Sequence, residues 1–211
     1  LRITGNEAGS YLLQNPEKIG RMIEILKKTG KIVTAKIRLG FKKNNVLEVA
    51  RAVESAGADA LTVHARLAVD GGDVPADWNE IKKVKKFLKI PVVGNGDIFF
   101  GKDVERMMRA TGCDGVMIAR GAIGDPYIFE RVLYYLKTGI EKDFDMKKNL
   151  SAFQKYLELE KKFYGKDFDV GRVKYVGGKF LRGFHGAAKK REEFMKLKKM
   201  NEIEEFASRL Q

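Results

Sequence analysis

The feature that most constrains the fold of this chain is a strand-and-helix repeat that occurs four times. Short apolar or alternating segments of the kind that forms β-strands begin near residues 32, 59, 91 and 114, and an amphipathic helical segment follows each one. A helical crossover returns the chain to the same end of a sheet, so the strands are predicted to be parallel. Such repeats build a (β/α)8 barrel or a doubly wound sheet.

The number of repeats predicts a partial barrel. A closed barrel needs eight units, so four correspond to the C-terminal half of an α/β TIM barrel. Beyond Gly139 the strand pattern ends, and residues 150–163 and 192–210 are strongly helical. We therefore predict a half-barrel over residues 1–139 and an all-α helical domain over residues 140–211. Breaks between the helices are predicted at glycines, namely Gly165, Gly171, Gly177-Gly178 and 183–186.

Polar residues recur in one phase of the first two strands. Residues 32–39 alternate so that Lys36 and Arg38 lie opposite the apolar side chains, and His64 and Arg66 repeat this phase in the next strand. The face toward the helices must be apolar, so the polar face is predicted to look into the barrel, with the two arginines over its mouth. A lysine placed there needs an anion or an electron-rich ligand. The alternatives are a structural carboxylate partner for Lys36 and a satisfied core histidine for His64.

Two glycine-containing loops follow the third and fourth strands. They are Asn95-Gly96-Asp97 and Ala119-Arg120-Gly121, and parallel strands place both at the same rim. Glycines let backbone amides approach an anion, and an arginine adds a fork of donors, so the loops suit a phosphate. The alternatives are that Asp97 only caps the following turn and that Asn95 only satisfies loop backbone.

Charge is the strongest compositional signal. The formal net charge of +13 predicts a polyanionic partner. Residues 172–199 carry ten lysines and arginines against two glutamates, with Tyr175, Phe180, Phe184 and His185 interleaved. Mixed basic and aromatic residues suit an RNA backbone and its unstacked bases, whereas a solvated helical face is the alternative.

Other classes of site are disfavoured. The single cysteine, Cys113, excludes an internal disulfide and fits a cytoplasmic protein. It precedes the fourth strand, at the end of the barrel away from the polar rim, so we do not expect it to be catalytic. Two histidines and one cysteine do not support a zinc site, and no signal peptide or membrane-spanning apolar run is present. We expect no metal, no membrane association and a monomer.

Five segments together resemble the tRNA-dihydrouridine synthase family, whose members are flavin enzymes built on a TIM barrel followed by a helical domain. The segments are VTAKIRLG, LTVHAR, DWNEIKKVKK, IPVVGNGDI and TGCDGVMIARGAIGDPYIF, and they occur in the family's order and spacing. A looser similarity continues through RVKYVGGKFLRGFHGAAKKRE. The resemblance implies an oxidoreductase that reduces uridine in tRNA to dihydrouridine with FMN and NADPH or NADH.

The resemblance also implies roles for individual residues. The expected cofactor contacts are Lys36 and His64 to the isoalloxazine, with Asn95, Gly96, Asp97, Ala119, Arg120 and Gly121 around the ribityl and phosphate portion. The expected substrate contacts are Arg38, Arg66, Lys174, Arg182, Lys189, Lys190 and Arg191.

The family's cysteine acid is expected outside this chain. It lies in an asparagine, glycine, cysteine, proline context that these 211 residues lack, and the chain begins at Leu1 instead of a methionine. We therefore expect a fragment that is inactive alone, with the cysteine upstream. Two alternatives stay open: another FMN barrel similar to dihydroorotate dehydrogenase, which the basic tail disfavours, and an RNA-binding protein that has lost catalysis.

Overall fold

The first part of the fold is a parallel sheet. The structure, a computed structural model, describes residues 7–165 and 169–210. The strands of the sheet are Thr34–Arg38 (β1), Ala60–His64 (β2), Val92–Asn95 (β3) and Gly115–Met117 (β4). They are parallel neighbours in the order β1-β2-β3-β4. The predicted α/β class, with four parallel strands alternating with helices, is confirmed.

Helices fill the intervals between the strands and most of the described chain after them. They are Pro16–Lys27 (α1), Val46–Ser55 (α2), Trp78–Phe87 (α3), Gly101–Thr111 (α4), Ile128–Thr138 (α5), Met146–Tyr164 (α6), Val170–Phe180 (α7), Ala187–Lys196 (α8) and Met200–Ser208 (α9). Short 3-10 helices cover Gly9–Gln14 and Arg120–Ala122. The predicted helical C-terminal region is confirmed.

Local sequence explains several helix ends. The Asn15 side chain accepts a hydrogen bond from the Lys18 amide at 2.9 Å, and Pro16 occupies the first helical position of α1. Helix α5 stops at Gly139, which is left-handed with φ of 72°. Both ends agree with the sequence signals.

The spacing of Asp77 and Glu80 predicts a capping box at the start of α3, and the structure does not form it. Asp77 caps the helix by accepting from the Asn79 amide at 3.0 Å. Its expected partner Glu80 is instead bound by the Asn44 side chain at 2.8 Å. The Asp77 amide, which a capping box would offer to Glu80, donates to the Ala65 carbonyl at 2.8 Å instead.

Other helix boundaries also differ from the predictions. Asp125-Pro126 predicts a helix start, but α5 begins at Ile128, and the Asp125 carboxylate accepts from the Arg131 guanidinium and does not cap the helix. Residues 192–210 are not one helix, since the chain is extended at Leu197 and Lys199 between α8 and α9. Three predicted breaks, at Gly171, Gly177 and Gly178, lie inside α7.

The two faces of the sheet differ in burial. Leu61 and Val63 of β2 are fully buried, whereas the alternating residues Thr62 and His64 are half-buried. A Cβ placed on Gly94 of β3 would collide with Met107 of α4, so this face is covered by helices. The helices thus leave the opposite face, with its polar side chains, to form a site.

A repeated ion pair fixes the amino ends of the strands. An aspartate just before β2, and another just before β4, each accepts from an amide at or next to the start of the preceding strand and from a helix lysine. The bonds are Val33 to Asp59 at 2.6 Å, Lys27 to Asp59 at 2.8 Å, Val92 to Asp114 at 2.7 Å and Lys85 to Asp114 at 2.7 Å. These bonds hold the pKa of both aspartates below the usual range.

The chain divides into two compact units. One contains the described residues up to Ile98 together with Lys102–Ala119, and the other contains Phe99–Gly101 and the described residues from Arg120 onward. The domain boundary at residue 139 stays a prediction. The helical unit has its own core, formed by Phe153, Leu157, Val173, Phe180, Leu181, Phe194, Ile203, Phe206 and Ala207.

Candidate functional site

The strand register brings predicted site residues onto one face of the sheet. Residues paired across a parallel ladder share a face. One row is Lys36, Thr62, Val93 and Gly115, and the next is Arg38, His64, Asn95 and Met117. Lys36, Arg38, His64 and Asn95 therefore lie on the face opposite Gly94, which packs on helices.

Lys36 lies on β1, beside a cavity of about 430 Å³. The cavity is bounded by the Gly9–Gln14 helix, α1 and β1, and its wall includes the buried side chains of Leu13 and Ile23. Partial burial, followed by the charge of Arg38, lowers the pKa of Lys36 from its ordinary value. Across residues 7–165 and 169–210 no carboxylate forms an ion pair with Lys36, so the described part of the chain does not supply the structural partner considered from sequence.

Arg66 is buried and forms hydrogen bonds to two loops, the one that contains Val74 and the one that contains Asp97. Only 3% of Arg66 is exposed, and its Nη2 donates to both Asp97 carboxylate oxygens at 2.6 and 2.7 Å. Its Nε donates to the Val74 carbonyl, and its Nη1 lies 3.3 Å from His64 Nε2. A guanidinium only donates, so this contact favours the histidine tautomer in which Nε2 accepts. The structure thus places Arg66 among loop residues of its own chain.

The Gly96-Asp97 turn has a backbone shape that few residues adopt. Gly96 has φ of 129° and Asp97 has φ of 55°, and a Cβ on Gly96 would come within 2.7 Å of Ala76 Cβ. The turn is held by Trp78 Nε1, which donates to the Gly96 carbonyl at 3.0 Å, and by the Ala76 amide, which donates to Asp97 at 2.8 Å. Hydrogen bonds therefore fix the shape of the Gly96-Asp97 turn and of the loop that contains Ala76.

Two other predicted ligands bind neighbouring backbone. Asn95 is buried, and its Nδ2 donates to the Met117 carbonyl at 2.8 Å. Arg38 donates to the Leu67 carbonyl at 2.7 Å. The Asn95 bond matches the alternative reading that it satisfies backbone, and it ties the ends of β3 and β4 together.

In the second unit, the Arg120–Ala122 turn is hydrogen-bonded to a cluster of ion pairs that could not be predicted from the sequence. Asp125 is 2% exposed, and it accepts from Arg131 at 2.9 Å and from Arg182 at 3.1 Å. Arg182 also donates to the Gly121 carbonyl at 3.3 Å. The Asp125 and Arg182 positions are 57 residues apart, and no local pattern links them. The structure therefore engages Arg182, predicted as an RNA contact, in a bond to its own unit.

The remaining four predicted RNA contacts fall into two groups. Arg191 donates to the Leu181 carbonyl at 2.6 Å, and Lys190 pairs with Glu193 at 3.1 Å. Lys174 and Lys189 form no ion pair with any residue in the described ranges, and Lys189 is exposed. The lysines of the second group are therefore the best candidates for contact with a polyanion.

The described residues contain neither a metal-binding cluster nor a membrane-spanning helix. No group of three or more His, Cys, Asp or Glu side chains there is arranged to hold a metal ion. No helix among those residues is both long and apolar enough to cross a bilayer. Cys113 is 5% exposed and lies 3.3 Å from a Cβ built on Gly94, on the helix-covered face.

The fold and this geometry define an α/β protein that presents cationic and amide side chains at the carboxyl ends of parallel strands, where such folds place their sites. The family model for dihydrouridine synthase (Dus) matches residues 1–211. The chain belongs to this family.

Relatives and a solved structure give the extent of the similarity. The chain is 36% identical over 167 residues to the probable tRNA-dihydrouridine synthase of Aquifex aeolicus, a match that covers 76% of this chain and 53% of the relative. It is 36% identical over 176 residues to the tRNA-dihydrouridine(16) synthase of Shewanella oneidensis, covering 82% of this chain and 54% of the relative. The chain thus spans about half the length of these relatives. A mandelate oxidase mutant structure matches with a TM-score of 0.41 and 14% identity, over 86% of this chain and 64% of that one.

Proposed function

We propose that this chain supplies flavin-binding and RNA-binding parts of a tRNA-dihydrouridine synthase, which reduces uridine in tRNA with NADPH, or NADH, through FMN. The observation that carries the proposal is the shared sheet face of Lys36, Arg38, His64 and Asn95 in a chain of the Dus family. In this proposal the whole protein closes an eight-stranded barrel, residues 1–139 contribute half of it, and residues 140–211 hold the RNA.

The donor set on this face fits an FMN ring system. Lys36 lines the cavity of about 430 Å³ and lacks an ion-pair partner within the described ranges, so its ammonium can donate to an electron-rich ring edge there. His64 lies one row nearer the strand ends, and Arg66 and Asp97 hold the rim beside it. We propose that Lys36 and His64 contact the isoalloxazine and that Asn95, Gly96 and Asp97 line the ribityl portion.

The phosphate is assigned to the turn after β4. We propose that the Ala119, Arg120 and Gly121 backbone and the Arg120 side chain hold it. Gly121 is buried, and its carbonyl is already bound by Arg182, so the turn has a defined shape in its own unit. A pre-formed turn binds an anion without a further cost of ordering.

The reaction adds a hydride to C6 and a proton to C5 of a uracil ring. When bound, FMN supplies the hydride chemistry, with NADPH as the source of electrons. The protein must supply the proton, and Cys113 is buried beside Gly94 on the face covered by helices. We therefore propose that the acid is not a cysteine of this chain, and we expect these 211 residues alone to bind ligands without turnover.

Cofactor binding is tested with the 211-residue chain. Flavin fluorescence is measured while FMN is titrated into the wild-type chain, Lys36→Met and Lys31→Met. The two variants lose the same charge, but Lys31 lies before β1, at the end of the strand away from the rim. We expect saturable binding that Lys36→Met weakens about ten-fold, the effect of losing one charged hydrogen bond, and that Lys31→Met preserves. Equal binding by both variants would contradict the assignment of Lys36.

The reaction is tested in a chimera. The matched region of the Shewanella oneidensis relative is replaced by this chain, and dihydrouridine is measured by mass spectrometry after incubation with NADPH and uridine-containing tRNA. We expect dihydrouridine to form. A chimera that binds FMN and reduces it with NADPH but forms no dihydrouridine on any tRNA would refute the proposed substrate. Binding of tRNA without any flavin binding would favour the RNA-binding alternative.

A further inference from the structure

The helical unit contains a small cavity with an apolar wall and a basic rim. Its volume is about 280 Å³, and it lies where the starts of α6 and α8 meet the end of α9. The apolar wall is formed by Met146, Leu150, Phe184 and Leu210. The rim carries His185, Lys189, Lys190 and Arg209. A wall of this kind beside cations is suited to a ligand that is flat and apolar at one end and anionic at the other.

One rim charge, that of Lys189, is placed where the fold gains nothing from it. Lys189 is in the first turn of α8, which has no acidic residue there. A cation at a helix amino terminus opposes the helix dipole, so Lys189 costs the helix stability. Within the described ranges it forms no ion pair that would offset this cost. An anionic ligand at the rim would offset it.

The apolar wall includes an aromatic ring held in place. Phe184 is partly buried and packs against the core of the helical unit. A ring fixed in this way loses little side-chain entropy when a second flat group stacks on it. Its neighbour His185 is exposed at the rim.

We propose that this cavity binds one unstacked nucleotide of the RNA, with the base against Phe184 and Met146 and the adjacent phosphate at Lys189 and His185. The inference rests on the proposed RNA-binding function and adds that the helical unit reads an unpaired position as well as the backbone. Single-stranded RNA is recognised by this combination of stacking and phosphate contact.

The test distinguishes binding of the base from binding of the phosphate. Binding of the full 211-residue chain to a fluorescent oligouridylate is compared with binding to an abasic strand of the same length, by fluorescence anisotropy over a range of salt concentrations. Met146→Trp fills the apolar end without changing charge, and Phe184→Leu is the second variant for that end. Lys189→Ala removes a rim charge, and Lys137→Ala is the matched control, an exposed lysine on α5.

The expected results differ between variants of the apolar wall and variants of the basic rim. Met146→Trp should weaken oligouridylate binding about five-fold or more, the loss of one stacked base, with abasic binding changed less than about two-fold. Lys189→Ala should weaken both strands and reduce the salt slope by about 0.7 per lost phosphate contact. It should not lower the melting temperature, because it removes a cation from a helix amino terminus.

Either of two results would overturn the inference. If Met146→Trp and Phe184→Leu fold but change both strands equally, no base enters the cavity. If Lys189→Ala matches Lys137→Ala, the rim does not hold a phosphate. In either case wild-type binding to tRNA would leave the proposed function standing, whereas a wild-type chain that binds no RNA would refute both.

Discussion

Adjacent glycines in α7 permit a sharp test of how the helical unit packs. Gly177 and Gly178 are both in the helix interior. A Cβ added to Gly177 would lie 2.6 Å from Phe194 Cζ and 2.8 Å from Phe153 Cε2, far inside normal contact. A Cβ added to Gly178 would meet nothing within 4 Å. The two positions therefore differ in packing and share their helical backbone.

The expected free energies follow from two effects. Alanine stabilises a helix interior by about 1 kcal/mol relative to glycine, at both positions. Only Gly177→Ala also pushes two core rings apart, and overpacking of a well-packed core costs about 1–3 kcal/mol. Because the helix effect is common to both, the difference between the variants equals the overpacking cost, with Gly178→Ala the more stable by about 1–3 kcal/mol.

The assay is urea unfolding followed by far-ultraviolet circular dichroism, since helices make up most of this unit. A third variant combines Gly177→Ala with Phe194→Leu, which shortens the nearest ring and should recover part of the loss relative to Phe194→Leu alone. Equal stability of Gly177→Ala and Gly178→Ala would contradict the prediction, because it would mean that the added methyl group at Gly177 does not clash with the two rings.

Three other predictions concern charged residues. Bonds from Lys85 and the strand backbone lower the pKa of Asp114, so its stabilisation is complete above its unfolded pKa near 4 and is lost as pH falls through the lower folded pKa. Melting temperatures of Asp114→Asn should accordingly fall less between about pH 5 and 2 than those of wild type. Arg182→Ala should lower the melting temperature, because Asp125 stays buried with one partner fewer. Lys174→Ala should lower tRNA affinity at an unchanged melting temperature, and the opposite pattern would reverse both assignments.

The parallel half-sheet was predictable because its causes are local. Alternation in β1 and β2 places Lys36 and His64 opposite the apolar side chains, and the crossover helices make the strands parallel. The loop contacts were not predictable, since Arg66 and Asp97 are 31 residues apart and nothing in either segment identifies its partner. The helix through Gly177 was missed for a related reason, because glycine there is required by distant rings and not by a turn.

The structure also changes how the basic stretch should be interpreted. Charge counting treats its arginines and lysines alike, but two of its arginines bind carboxylates of the same chain. Arg172 donates to Glu160 at 2.6 Å, and Arg182 donates to Asp125. Lys174 and Lys189 have no such bond within the described ranges. A planar guanidinium suits bidentate bonds inside a fold, whereas a flexible ammonium in water remains available to a phosphate. Salt-dependent RNA binding should therefore respond to substitution of Lys174 or Lys189, and stability to substitution of Arg172 or Arg182.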